Sequence, residues 1–388
     1  MPLKKVCVIT GTRAEFGQLK GVMEGIRDSD ILELQVVATG MHLSPEFGMT
    51  VETIEAEGIK VDRRVEMLLS SDSSVGVTKS VGLGVISFSE IFEELNPDLV
   101  LILGDRYEIF AAGIAAMIGR LPIAHIHGGE ATEGLIDEPI RHSLTKMSHL
   151  HFVATSEYEK RVCQLGEEPK RVFNVGGLGV DALNKIDLLC KSELEKILEF
   201  QFLTKNFLIT FHPVTLEVNT AAPQMDELLA ALSSLDDTGL IFTMPNADTD
   251  GRFLQNKIKE FCLSHPNAKF YTSLGQIKYF SCMRYVDAVV GNSSSGVSEA
   301  PTFNIGTIDI GDRQKGRVKS ESIIECEPDV TSILGAIKYL YSDGFQLKLK
   351  ATTNPYGTGG ASKKIVDVLE TRDFTNLLKK SFYDWQKI

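Results

Sequence analysis

The sequence predicts an α/β protein made of two doubly wound parallel-sheet domains, and two observations carry that prediction. Short β-branched apolar runs recur along the chain, and amphipathic segments of helical length separate them. Near-continuous apolar strands are what a parallel sheet covered on both faces requires, and strand-then-helix repetition implies right-handed crossovers. Composition agrees. Of 388 residues, 43% are apolar and 24% charged, with 33 Gly and 13 Pro, which excludes disorder, collagen and coiled coil. At roughly 100–200 residues per domain, this length predicts two or three domains, each able to bury its own core.

In the first half the predicted strands are VCVIT (6–10), LQVVAT (34–39), LVLIL (99–103), IAHIH (123–127) and LHFVAT (150–155). Helices are expected over 16–27, 75–95 and 108–118 between them. A glycine-rich junction, Val175-Gly176-Gly177-Leu178-Gly179, leads through a charged helix at 191–199 into a second series of strands. These are FLITF (207–211), LIFTM (240–244), DAVVG (287–291) and TIDIG (307–311). The predicted boundaries are 1–178 for the first domain and 179–370 for the second. A C-terminal helix over about 371–388 is expected to pack back on the first.

Charge and cysteine usage narrow the function. With 40 Lys and Arg against 52 Asp and Glu, the formal charge of −12 argues against a global grip on nucleic acid or an anionic membrane. Any phosphate ligand must therefore meet local positive charge. The six cysteines contain no C-x-x-C pair, so neither a zinc knuckle nor a disulfide framework is indicated. The apolar stretch Val6 to Ile9 is too short for a signal-peptide core and no run of 18 apolar residues follows, so a cytoplasmic protein is expected.

In open parallel sheets ligands lie beyond the carboxyl ends of the strands, so the residues just after each strand carry the functional reading. The first strand runs into Thr10-Gly11-Thr12-Arg13-Ala14-Glu15-Phe16-Gly17, a turn whose N–H groups can meet an anion and whose Arg13 adds a planar charged fork. It is neither a G-x-G-x-x-G fingerprint nor a P-loop; a tight turn with a solvated arginine is the plain alternative. LVLIL is followed by Gly104-Asp105-Arg106, which reads either as a ligand-facing carboxylate and guanidinium or as a salt bridge at a helix start. IAHIH leads into His127-Gly128-Gly129-Glu130, then Glu133, Asp137, Glu138, Arg141 and His142. Period-2 alternation puts His125 and His127 on one side, and the two glycines allow close backbone approach to a ligand. H-x-H without further ligands at a recognised spacing is a weak zinc signal, so no metal is expected; carboxylates of unequal proton affinity suit acid/base chemistry better.

The second half supplies His212-Pro213-Val214-Thr215, Pro245-Asn246-Ala247-Asp248, Gly291-Asn292-Ser293-Ser294-Ser295-Gly296 and Gly311-Asp312-Arg313-Gln314-Lys315-Gly316-Arg317. A small-residue loop opening a helix is either an anion site or an ordinary cap. Glu299, a turn into that helix, can accept from both hydroxyls of a ribose, and Arg313 can neutralise phosphate. Arg13, Arg106 and Arg313 around one interdomain cleft make a place for a diphosphate.

Taken in order, GTRAEFGQL, TGMHLSPEFG, GDRYE, HIHGGEATEGLIDEPIRHSLTKMSHLHF, HPVT, PNAD, GNSSSGVSEAP and GDRQKGR resemble the UDP-N-acetylglucosamine 2-epimerase family, in particular its hydrolysing branch of sialic-acid-type biosynthesis. The resemblance covers nearly the whole chain. It implies a GT-B-like α/β fold, two Rossmann-like doubly wound domains with an interdomain cleft, in a cytoplasmic homodimer or homotetramer. UDP contacts are implied for Arg13, Gly17, Arg106, His212, Asn246, Ser293, Ser294, Glu299 and Arg313. Asp105, Glu130, Asp137, His212 and His127 are implied as catalytic groups, and His42, Asp105 and Glu130 as sugar-side groups. Position 127 is histidine where many members carry a catalytic glutamate, so His127 and Glu130 both stand for that role.

The implied substrate is a UDP-sugar, UDP-GlcNAc or UDP-N,N'-diacetylbacillosamine, with UDP as product; no cofactor, metal, nucleic acid or membrane partner is expected. In the α-linked chair the C1 phosphate and the C2 hydrogen are anti, which suits elimination to a glycal followed by hydration to the free manno sugar. The rival expectations are a non-hydrolysing epimerase returning a UDP-sugar, a nucleotide-sugar-binding protein, and a GT-B glycosyltransferase.

Overall fold

The computed structural model describes residues 2–385 apart from 72, 218 and 245–250, with the side chains of 251 and 252 also left aside. The chain forms two compact units: Met1–Glu130 with Asp137–Asn184 and Tyr356–Ile388, and Ala131–Ile136 with Lys185–Pro355. The change of unit thus falls after Asn184, and the helix over 361–371 lies in the first unit.

The first unit holds strands β1 (Lys4–Thr10), β2 (Leu32–Thr39), β3 (Arg63–Val65), β4 (Leu99–Leu103), β5 (Ile123–Ile126), β6 (Leu150–Val153) and β7 (Val172–Asn174). Its helices are α1 (Arg13–Arg27), α2 (Val51–Ala56), α3 (Ser74–Leu95), α4 (Tyr107–Ile118), α5 (Asp137–Met147), α6 (Ser156–Gln164) and α7 (Leu178–Leu183). In the second unit stand α8 (Lys191–Leu198), β8 (Lys205–Thr210), α9 (Ala221–Ser233), β9 (Thr238–Thr243), α10 (Gly251–Ser264), β10 (Ala268–Tyr271), α11 (Gly275–Met283), β11 (Ala288–Gly291), α12 (Ser294–Ser298), β12 (Gly306–Ile310), β13 (Ile323–Cys326), α13 (Val330–Leu340) and α14 (Asp343–Ala351). The helix α15 (Ala361–Thr371) follows in the first unit.

The first sheet runs β3-β2-β1-β4-β5-β6-β7 and the second β10-β9-β8-β11-β12-β13, with parallel pairing throughout the described strands. Each sheet therefore reverses its winding once, between β1 and β4 and between β8 and β11. This is the doubly wound, Rossmann-like order, and the reversal is where loops part above the strand ends.

Strand alternation divides the first core. Val6, Val8, Leu99, Leu101 and Leu103 pack on one face of the sheet with α1 and α15, while Cys7, Ile9, Val100 and Ile102 pack on the other with Phe88 and Phe92 of α3. Of the described helices, α3 alone has the length and hydropathy to cross a membrane, and its phenylalanines face the core. In the second unit Phe207, Ile209, Leu240, Phe242, Val290 and Ile308 join Met225, Leu228, Ile333 and Leu340 in one cluster.

The nine predicted strands are all present. Four more, β3, β7, β10 and β13, stand one at each edge of the two sheets. They are three or four residues long and partly exposed, so they lack the unbroken apolar run that marks the inner strands.

The expected helix over 371–388 is not found among the described residues, since α15 ends at Thr371. The tail is instead irregular, with a turn near 375–376, and is held by long-range contacts. Phe374 and Leu377 enter the core, Arg171 donates to the Leu377 and Lys379 carbonyls at 2.9 and 3.0 Å, and Lys380 reaches Glu167 and the carbonyls of Lys146 and Ser148. These anchors lie on different elements, and a helix cannot meet them together.

Glu167 is fully buried beneath Lys380, Lys146 and His151. Burial pushes its carboxyl up, but hydrogen bonds and charge from His151, Lys146 and Lys380 outweigh that and hold it at about 2. An acid whose proton affinity falls on folding adds stability above its ordinary range, near 4.5, and loses it as pH drops toward 2. Glu167→Gln is expected to lower unfolding free energy by about 3 kcal/mol at pH 7, in the range for a broken buried ion pair. In urea titrations the gap between the two proteins should narrow from pH 4.5 to pH 2.5; a constant gap contradicts the assignment.

Candidate functional site

In the first unit the turn after β1 is closed by the protein's own carboxylate. Thr12 caps α1, accepting from Glu15 N at 3.3 Å, while Glu15 Oε2 accepts from Gly11 N at 2.7 Å and Thr12 N at 3.2 Å. The N–H groups expected to meet a ligand anion are thus occupied by a capping box. Arg13 projects from the first turn of α1 and is exposed, and Gly17 lies one turn further along that helix. Glu15 is buried beside Glu108, and burial with that second carboxylate pushes it up to about 8. Gly11 is required here: a Cβ on it meets Glu108 Cγ at 2.5 Å.

His42 is fully buried with both ring nitrogens engaged, Nε2 3.0 Å from Thr10 Oγ1 and Nδ1 2.8 Å from Thr50 Oγ1. Burial holds it at about 4, so it is neutral. Its hydrogen bonds tie the loop after β2 to the end of β1.

Beyond β4, Arg106 Nε donates to Glu108 Oε1 at 2.8 Å, so its charge is already shared with the helix start of α4. Asp105 pairs with Arg141 of α5, a side chain only 1% exposed. Arg141 Nη1 also donates to Glu138 Oε2 at 2.9 Å and to the main-chain oxygen of Glu130 at 3.0 Å. Glu138 in turn accepts from or faces His142 Nε2 at 2.9 Å. One guanidinium thereby joins the loop after β4, the loop after β5 and the start of α5.

The two histidines of IAHIH do not share a side. His125 is the third residue of β5 and wholly buried, its Nε2 2.7 Å from Gly104 O and its Nδ1 3.3 Å from Thr145 Oγ1; burial lowers it to about 3. The strand ends at Ile126, and His127 takes a left-handed backbone at φ 64°, which breaks the two-residue period. Its ring lies with Nδ1 3.8 Å from Glu130 Oε1 and Nε2 3.4 Å from Leu178 N. Gly129 serves packing: with φ 80°, a Cβ there meets Tyr158 O of α6 at 2.5 Å. Glu130 is buried, the last residue before the chain enters the second unit, and Asp137 opens α5 where it returns.

In the second unit the two strands flanking the reversal are locked at their ends. His212 N donates to Asn292 Oδ1 at 2.7 Å, and Asn292 Nδ2 donates to His212 O at 2.8 Å. The loop after β12 joins them: Arg313 Nη1 and Gln314 Nε2 both donate to Asn292 O, at 3.1 and 2.8 Å. Ser293 caps α12, and Ser294 is its first residue. Glu299 is buried but stands at the end of this five-residue helix, where the chain turns into Ala300–Phe303, and its Oε2 accepts from Ser298 Oγ at 2.6 Å. Asn246 lies outside the described residues.

Sequence reasoning passed over Tyr279 of α11, whose half-buried phenol hydrogen-bonds with Ser295 beside Ser293, Thr210 and Glu299; burial pushes it up to about 12. No local signal marks it, since α11 brings it to the loop from outside any motif. Glu15, Glu108 and Arg141 stand within the motifs, yet only the folded chain shows what they hold. Among the described residues no three His, Cys, Asp or Glu side chains are grouped so as to hold a metal ion.

Comparison with known proteins places these loops in context. Residues 24–370 match the family model described as UDP-N-acetylglucosamine 2-epimerase. The chain is 42% identical over 386 residues to the GDP/UDP-N,N'-diacetylbacillosamine 2-epimerase (hydrolyzing) of Campylobacter jejuni, covering 99% of this chain and 100% of that one. It is 37% identical to polysialic acid biosynthesis protein P7 of Escherichia coli, over 100% of this chain and 98% of the relative. For UDP-N,N'-diacetylbacillosamine 2-epimerase (hydrolyzing) of Legionella pneumophila the identity is 32%, over 95% and 96% of the two chains. The fold matches the crystal structure of UDP-GlcNAc 2-epimerase from Neisseria meningitidis bound to UDP-GlcNAc, with a TM-score of 0.81 and 19% identity over 95% of this chain and 100% of that one. With that family model spanning most of its length and such relatives matching it end to end, the chain belongs to the UDP-N-acetylglucosamine 2-epimerase family.

Proposed function

We propose that this chain is a hydrolysing UDP-sugar 2-epimerase that converts a UDP-2-acetamido sugar and water to the free manno-configured sugar and UDP. The observation that carries the chemistry is the joining of Asp105 to the Glu130 loop through Arg141, at the carboxyl ends of adjacent strands β4 and β5. Two carboxylates in unlike surroundings suit transfer of a proton off one face of a carbon and onto the other.

In the proposed sequence Asp105 takes the C2 proton. The C2–H electron pair becomes the C1=C2 bond, and the C1–O bond breaks with its pair leaving on UDP. Water then bonds to C1 of the glycal, its O–H bond breaking and that proton passing to solvent, while C2 receives a proton on the opposite face, a step for which Glu130 is the proposed donor. The other candidates, His127 at 3.8 Å from Glu130 and Asp137 at the start of α5, lie on the same segment and support that step.

The nucleotide is proposed to engage the second unit at Arg313, His212, Ser293, Ser294 and Glu299, with Arg13, Gly17 and Arg106 as further candidates. Arg313 is the central cation of this set, held on the Asn292 carbonyl. A guanidinium aimed at a departing diphosphate stabilises charge as it develops, commonly by a few kcal/mol. Asn246 belongs to the same proposal by resemblance alone. Relatives at 42% and 32% identity bear the name of hydrolysing diacetylbacillosamine epimerases, which favours UDP-N,N'-diacetylbacillosamine over UDP-GlcNAc as substrate. A cytoplasmic homo-oligomer is part of the same reading.

Incubation in deuterated water with UDP-N,N'-diacetylbacillosamine, its GDP counterpart and UDP-GlcNAc tests it by NMR. Free manno sugar carrying deuterium at C2, with the nucleoside diphosphate, is the expected product. A UDP-linked product reassigns the chain to the non-hydrolysing reaction, and unlabelled product removes the proton step.

Two substitutions separate binding from chemistry. Arg313→Ala is expected to weaken UDP binding by about 10- to 100-fold in calorimetry, the span of a hydrogen bond between charged groups. Glu130→Gln should lower kcat by about 10²- to 10⁴-fold, as removal of an acid/base group does, with UDP affinity retained. If Glu130→Gln loses UDP binding instead, its assignment is wrong.

A further inference from the structure

Arg141 is the least accessible cation in the first unit's functional loops, at 1% exposure, and its burial needs an explanation. Taking a guanidinium out of water is strongly unfavourable unless its donors are matched by charge and acceptors. Arg141 has that match from three directions: Asp105 from the loop after β4, Glu138 one turn back on its own helix, and the Glu130 main-chain oxygen from the loop after β5. None of these partners is needed to close the sheet, whose ladders are complete without them. A lysine cannot replace the arrangement, because a point charge on a flexible stem lacks the planar fork that reaches separate acceptors at fixed angles.

The surrounding charges leave this role to Arg141. Arg106 pairs with Glu108 on α4; His125 on β5 is neutral and turned to Gly104 O; His127 lies against Glu130; His142 on α5 faces Glu138; and Glu15 on α1 is taken by the Gly11 and Thr12 amides. Arg141 is the cation paired with Asp105.

We propose that Arg141 is a positioning residue for the proton transfer: it holds Asp105 as the carboxylate, ready to accept the C2 proton, and fixes the Glu130 loop beside it. The inference deepens the reading above and rests on it. Arg141 acts through the Asp105 carboxylate and the main chain of the Glu130 loop. Glu138, sharing the same guanidinium, tempers its hold on Asp105.

The test uses the full-length enzyme, with the deuterium-labelling assay on the native protein run first, so that failure of the epimerase reading shows there and nowhere else. Arg141→Lys is then expected to lower kcat by at least about 30-fold with KM and UDP affinity within about threefold. The acid limb of its kcat/KM profile should move up by about 0.5–1 pH unit, because lysine keeps the charge but loses the guanidinium hydrogen bond that favours the ionised aspartate. Glu138→Gln supplies an independent reading should the lysine variant fold poorly: removal of a competing carboxylate should move the same limb down. Limbs that stay in place in both variants, or kcat loss accompanied by an equal loss of UDP affinity, overturn the proposal and make Arg141 a structural ion pair only.

Discussion

Reversal of strand order within each sheet is the constraint on which the functional loops depend. Because β1 has β2 on one side and β4 on the other, the crossovers that leave β1 and β4 go to opposite faces. The loops above those two strand ends must part, and the same holds at β8 and β11. The central strands are closed to solvent: β4 and β9 are buried along their whole length, and β8 nearly so. The candidate functional groups instead stand in the two or three residues after a strand, where Asp105, Arg106, His212, Asn292 and Ser293 are found.

Charge matching governs those loops in turn. An ionised group buried without partners is too unfavourable to persist, so each one carries its own counter-charge. Arg141 has Asp105 and Glu138, Arg106 has Glu108, Lys319 has Asp309 at 2.8 Å, and Glu167 has two lysines and a histidine. The same economy fills the turn after β1, where Glu15 takes the amides that an external anion was expected to use. A helix start that faces an anion and one that caps itself look alike in sequence, since both want small polar residues followed by an acid; here the acid three residues on decides for the cap.

Where sequence reasoning and structure part, the cause is in several places a contact distant along the chain. The histidine pair was expected on one side because a strand was assumed through residue 127, but the turn that lets Gly129 approach Tyr158 O ends β5 early and reverses His127. Glu299 was expected within a helix, and α12 stops at Ser298 because Pro301 follows, which favours the short turn Ala300–Phe303. The C-terminal stretch reads as helical in isolation; its anchors at Arg171, Glu167 and Gly166 hold it in an irregular path.

Local sequence alone determined the fold class, the nine inner strands and the placing of the functional loops at strand ends. An inner strand of a parallel sheet is apolar on both faces, and that demand is written into five or six consecutive residues. The four edge strands, the irregular tail and the long-range partners of the buried ionisable side chains were decided only in three dimensions. Arg141 meets Asp105 across 36 residues and Lys380 meets Glu167 across 213, and the strength of such a pairing depends on burial and distance, which no neighbouring residues in the chain encode.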